Sequence, residues 1–113
     1  MLHLVTAIIK PYKLDDVKEA LREAGVTGLT VSEVRGVGRQ GGHTETYRGA
    51  EYQIDLIPKV KVEVVLETDA AENVAKVIAD AARTGQIGDG KVWITAVERL
   101  TRVRTGEMGA DAV

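Results

Sequence analysis

The chain has no cysteine and no phenylalanine, and only two prolines, two histidines and one tryptophan among its 113 residues. Without cysteine there are no disulfides, thiolate metal sites or cysteine nucleophiles, a composition that fits a reducing cytoplasm. His3 and His43 stand far apart and offer no pair at metal-ligand spacing, so both read as structural. No stretch approaches the ~20 apolar residues of a membrane helix, and the start of the chain shows no signal-peptide pattern. The longest early run, Leu4 to Ile9, is broken by Thr6 and stopped by Lys10 and Pro11. A formal charge of −2 gives no electrostatic case for broad binding to nucleic acid or to an anionic membrane. Aromatics make up 4% of the chain, and the expected strands offer only Trp93, too little for the base-stacking platform of an RNA-binding sheet.

What remains is an ordinary globular composition, 44% hydrophobic and 28% charged, in a length that fits one domain spanning residues 1–113. Leu2 to Ile9 is rich in β-branched residues and reads as a strand. Leu14, Val17, Ala20, Leu21 and Ala24 then recur on one helical stripe, with Asp15 and Asp16 in the first turn and Gly25 as the stop. Thr30 to Gly38 and Val60 to Leu66 read as the second and third strands. A second helix is expected from Asp69, capped by that residue with Glu72 in a capping box, and ended by Gly85. Val92 to Val97 makes the fourth strand, and Leu100 to Arg104 extends as a short fifth. The order βαββαβ is the α+β, ferredoxin-like plan.

Two features depart from a plain domain of this kind. The first strand is apolar on both faces, Leu2, Leu4 and Ile8 against Val5, Ala7 and Ile9, so something should cover the face without helices. Another copy of the chain is the simplest cover. A segment of about residues 39–57 also shows no convincing periodicity, and loops longer than ~12–15 residues in compact domains usually have a task.

The residues that carry chemistry are glycines and cations. Gly88, Asp89, Gly90 and Lys91 form a turn whose backbone N–H groups and lysine suit a phosphate, without the full Walker spacing. Gly36, Val37 and Gly38, followed by Arg39 and Gln40, form a second glycine corner, which lacks the third glycine of a dinucleotide fingerprint. Arg102 and Arg104 are two apart, so on an extended chain they project to one side, and such forks suit phosphate oxygens. Tyr52, with an ordinary pKa of ~10, is no nucleophile by itself near neutrality, but its segment is accessible to a modifying enzyme. The sequence shows no acid–base pair or triad, so the chain reads as a non-enzyme. A phosphoryl-accepting enzyme using His43 would need a base or metal that the sequence does not supply.

Tyr47-Arg48-Gly49-Ala50-Glu51-Tyr52 and the run from Thr84 to Ile94 resemble the two signatures of the PII nitrogen-regulatory signal transduction proteins. The resemblance continues through Ile9-Lys10-Pro11, Leu14 to Val17, Gly38-Arg39-Gln40, Pro58-Lys59-Val60 and Arg102 to Gly106. It covers nearly the whole chain in order. It implies a compact homotrimer with ATP or ADP between subunits: Gly38, Arg39, Gly88, Asp89, Gly90 and Lys91 around the phosphates, with Arg102 and Arg104 arriving from the neighbour. Thr30 and Glu63 would lie near the adenine. Gln40 would help hold a magnesium ion that bridges ATP and 2-oxoglutarate, and Lys59 would pair with the oxoacid. Tyr52 would be the nucleotidylated residue, the substrate of a nucleotidyltransferase, and Arg48 the loop-tip contact to an ammonium transporter. Nitrogen-metabolism enzymes and regulators would be further partners. Gly41 and Val37 depart from the common pattern of lysine and an aromatic, and Tyr12 fills a place that is often aromatic. The tail from about residue 105 to 113 is expected to fray. The alternative function is a PII-like sensor of another small molecule on the same fold.

Overall fold

A computed structural model describes the backbone of residues 1–38, 43–47 and 50–113 and the side chains of residues 1–38 and 55–113. Its elements are β1 (Leu2–Ile9), α1 (Leu14–Glu23), β2 (Thr30–Gly36), β3 (His43–Tyr47), β4 (Ala50–Ile54), β5 (Ile57–Glu67), α2 (Thr68–Ala82) and β6 (Lys91–Val97). Four strands pair antiparallel in the order β2-β5-β1-β6, and the two helices supply the other half of the core. The ferredoxin-like plan is therefore present. Among the described residues no helix is long and apolar enough to cross a membrane.

Period-two burial builds the sheet. Val60, Val62, Val64 and Leu66 of β5 meet Val5, Ala7 and Ile9 of β1, and Val17, Leu21, Val74 and Ile78 of the helices close over them. The intervening residues of β1 and β5 face the other way, and Leu4, Ile8 and Val65 among them are half-buried. Antiparallel register extends that second face into rows: Thr30, Glu63, Thr6 and Trp93 form one, and Ser32, Lys61, Ile8 and Lys91 the next.

Helix α1 ends as expected. Gly25 takes φ +88°, its N–H donates to the carbonyl of Arg22 at 3.1 Å, and Val26 N–H donates to that of Leu21 at 3.0 Å. These are the paired bonds of a Schellman motif.

Five expectations need correction. The capping box at Asp69 and Glu72 does not form, because β5 runs directly into α2 and Glu67 is the N-cap. The first residue of the helix is instead tied to the start of the chain: Thr68 N–H donates to the Met1 carbonyl at 3.1 Å, and the Thr68 hydroxyl meets His3 Nδ1 at 2.7 Å. His3 is thus structural. Gly85 does not end α2, which stops at Ala82 with Arg83 extended.

Part of the segment between β2 and β5 is regular as well. Strands β3 and β4 pair from His43 opposite Ile54 to Tyr47 opposite Ala50, forming a separate two-stranded sheet. Finally, Leu100 to Arg104 is no strand, and the tail folds back rather than fraying. Gly106 and Gly109 take φ +75° and +67°, Arg102 N–H and the Glu107 carbonyl lie 2.8 Å apart, and Gly109 N–H reaches the Leu100 carbonyl at 3.0 Å. Left-handed glycines reverse the chain, which a fifth strand would forbid.

Candidate functional site

The two edge strands, β2 and β6, bring their glycine corners to the same end of the sheet. Between them lies an open cleft of about 830 Å³, walled by Gly36, Val37 and Gly38 on one side and by residues 85–91 on the other, with Ile8, Lys59 and Trp93 completing the lining. Gly38, Gly88, Asp89, Gly90, Lys91 and Lys59, all expected at the site, are brought together.

The 84–91 loop is built around one carboxylate. Asp89 Oδ2 accepts the N–H groups of Thr84 and Gly85, each at 2.8 Å, and Oδ1 accepts the Thr84 hydroxyl. Lys10 Nζ stands 3.2 Å from Oδ1 and 3.2 Å from Thr84 Oγ1. Capture of Thr84 N–H by Asp89 also explains why α2 stops where it does, since that donor is withdrawn from the helical ladder. The Thr84 hydroxyl, followed by the loop N–H groups and Lys10, holds the Asp89 carboxyl well below the usual carboxylate range. Asp89 therefore organises the loop from within. Gly85, Gly88 and Gly90 take φ +84°, +96° and +99°. Gly90 packs so closely on β1 that a Cβ there would stand 1.7 Å from the Ile8 carbonyl oxygen.

Lys59 lies beneath this loop, buried, and its ammonium donates to the Gly88 carbonyl. Burial, then repulsion from Lys10, pushes its pKa below the ordinary lysine value, with Asp89 opposing. Among the described residues this ammonium makes no ion pair, and it would gain from an anionic partner.

The other expected residues are placed elsewhere. Thr30 and Glu63 oppose each other on the second face, off the cleft lining. Arg102 and Arg104 do not share one side of an extended strand, because residues 103–105 form a turn. Arg102 is held by Glu107 Oε1 at 3.0 Å and by the Val113 carbonyl at 3.1 Å, and Arg104 is exposed. Neither lines the cleft of its own chain. Arg39, Gln40, Gly41 and Arg48 lie outside the described residues, as does the side chain of Tyr52. The backbone of Tyr52 sits on β4 opposite Glu45. Sequence reasoning assigned no role to Lys10 or Thr84. The available signal was a hydroxyl five residues before a turn aspartate, an arrangement suited to side-chain capture of backbone donors.

These features define a ferredoxin-like α+β domain with a glycine-walled, lysine-floored cleft at one end of its sheet. The family model described as nitrogen regulatory protein P-II matches residues 2–107. Proteins named nitrogen regulatory protein P-II from Mesorhizobium japonicum and Azospirillum brasilense are 61% and 59% identical over 109 residues, 96% of this chain and 97% of each relative. The solved structure of Arabidopsis thaliana PII bound to citrate is 38% identical, with a TM-score of 0.81 over 99% of this chain and 92% of that one. The chain belongs to the nitrogen regulatory protein P-II family.

Proposed function

We propose that the chain is a non-enzymatic cytoplasmic sensor of nitrogen, carbon and energy status. It takes ATP or ADP in the cleft, takes 2-oxoglutarate together with Mg-ATP, and acts on partners through the segment between β2 and β5. The observation that carries this reading is the cleft: two glycine corners from opposite edges of the sheet meet above the buried Lys59, with Lys91 at the rim. Backbone at positive φ in Gly88 and Gly90 supports a concave array of N–H donors, and such arrays accept phosphate oxygens.

In this reading the chain is a homotrimer, and Arg102 and Arg104 of a neighbouring copy reach the phosphates beside Arg39. Thr30 and Glu63 lie toward the adenine. Gln40 helps hold magnesium. Lys59, whose charge burial disfavours, gains a carboxylate of the oxoacid. Citrate in the plant relative supports a carboxylate-bearing effector on this fold. Arg39 and Gln40 follow the second glycine corner, so ligation there biases the segment that carries Arg48 and Tyr52. Arg48 is the contact to an ammonium transporter, and Tyr52 is the nucleotidylation site, detectable by intact mass after nitrogen starvation.

Calorimetry with 2-oxoglutarate tests the core of this function. The expected result is binding with Mg-ATP, and binding weaker by about 5–150-fold, the usual range of such couplings, with Mg-ADP or no nucleotide. Equal affinity under all three conditions would refute the nucleotide-linked sensor.

A further inference from the structure

Lys10 makes no ligand contact in the function proposed above, yet it holds a central position. Among the described residues its ion pair with Asp89 is the one that joins distant parts of the chain; the others lie within five residues of each other along it. Its side chain is 18% exposed and that of Asp89 23%, so solvent screens this pair less than the surface pairs. The lysine leaves the end of β1 with φ −65° and ψ 137°, an extended conformation that the following Pro11 enforces. Its ammonium is thus launched toward the loop from a fixed backbone.

The Asp89 carboxylate has room for about four donors. Thr84 N–H, Gly85 N–H, the Thr84 hydroxyl and Lys10 fill those places. No acceptor site is left for a ligand. Its negative charge nevertheless stands in the wall of the cleft, beside Gly88 and Gly90. Left uncompensated, that charge would repel any polyphosphate lying against the loop.

We infer that Lys10 is a positioning residue for the nucleotide cleft: it fastens Thr84 and Asp89 together and cancels the aspartate's charge, so that the 84–91 loop presents its N–H groups to a polyphosphate. The inference rests on the nucleotide reading of the cleft. It assigns Lys10 no contact with the ligand.

The test uses Lys10→Met and Lys10→Arg in the full chain, with two separate readouts. In nucleotide-free protein, Lys10→Met should speed hydrogen exchange at the Thr84 and Gly85 amides by at least about tenfold while exchange in β5 stays unchanged. In calorimetry it should weaken Mg-ATP by about tenfold and AMP by distinctly less, because the repulsion scales with phosphate charge. Lys10→Arg should restore both. Unchanged exchange would overturn the inference, as would equal losses for ATP and AMP, or a failure of arginine to restore. Should Lys10→Met not fold, Lys10→Gln serves for the same readouts. If the wild-type protein binds neither nucleotide, the proposed function fails on its own, and the exchange comparison still decides whether Lys10 fastens the loop.

Discussion

Single atoms decide the shape of the anion-accepting loop. At Gly90 a side chain is forbidden twice, by φ +99° and by the Ile8 carbonyl oxygen 1.7 Å from where a Cβ would stand. Gly90→Ala must therefore push the loop off β1, and we expect a loss of about 2–4 kcal/mol in urea unfolding. A loss below about 0.5 kcal/mol would show that the loop yields without resistance. Asp89 gives a test in acid. Its folded pKa lies below the ordinary 3.8, so the stability it confers is fully present above that value and is lost as pH falls through the lower folded value. The difference in melting temperature between wild type and Asp89→Asn should stay constant from neutral pH down to about pH 5 and shrink below about pH 4. A difference that shrinks between pH 7 and 5 would point to another titrating group.

The elements differ in how much of their ending is written locally. Helix α1 carries its own stop, and Gly25 has open space around it but φ +88°. Gly25→Ala should then cost about 1 kcal/mol, the price of the left-handed conformation alone, and a much larger loss would reveal a packing role. That helix, β1 and the order βαββαβ were legible in sequence because period and punctuation agree there. The start of α2 was not, since Thr68 N–H is met by the Met1 carbonyl, at the head of a distant strand, and its hydroxyl by His3, with Glu67 rather than Asp69 as the N-cap. Nor was its end, which Asp89 sets from within the loop that follows. The hairpin β3–β4 leaves only a faint trace in sequence: Thr44, Thr46 and Tyr47 in one run and Tyr52 and Ile54 in the next, separated by Arg48 and Gly49. At the site, glycine corners and lysines were readable from residue type and neighbourhood. The inward direction of the Asp89 carboxylate and the turn that parts Arg102 from Arg104 were not, because both depend on φ angles and partners that composition does not specify.

At the scale of the whole molecule, the face of the sheet without helices presents Leu4, Ile8, Val65 and Trp93, and Trp93 is 42% exposed. A sheet apolar on both faces calls for a cover. In the proposed homotrimer three such faces cover one another, and native mass should be about three times the 12.2 kDa of the chain. Leu4→Asp would bury a charge at that junction and should give monomers. Such a trimer would also account for Arg102 and Arg104 missing the cleft of their own chain, and this can be tested by complementation. Arg104→Ala should cost roughly 1.5–3 kcal/mol of ATP affinity, and Lys91→Ala should cost a comparable amount, from one charge-assisted contact each. When chains with these two substitutions are unfolded together and reassembled, every mixed trimer holds a single cleft with Lys91 from one chain and Arg104 from its neighbour. Calorimetry of the mixture should recover a class of sites with wild-type affinity, at less than one per chain. If all sites in the mixture stay weak, Lys91 and Arg104 do not meet across a subunit boundary, and the arginines have another use.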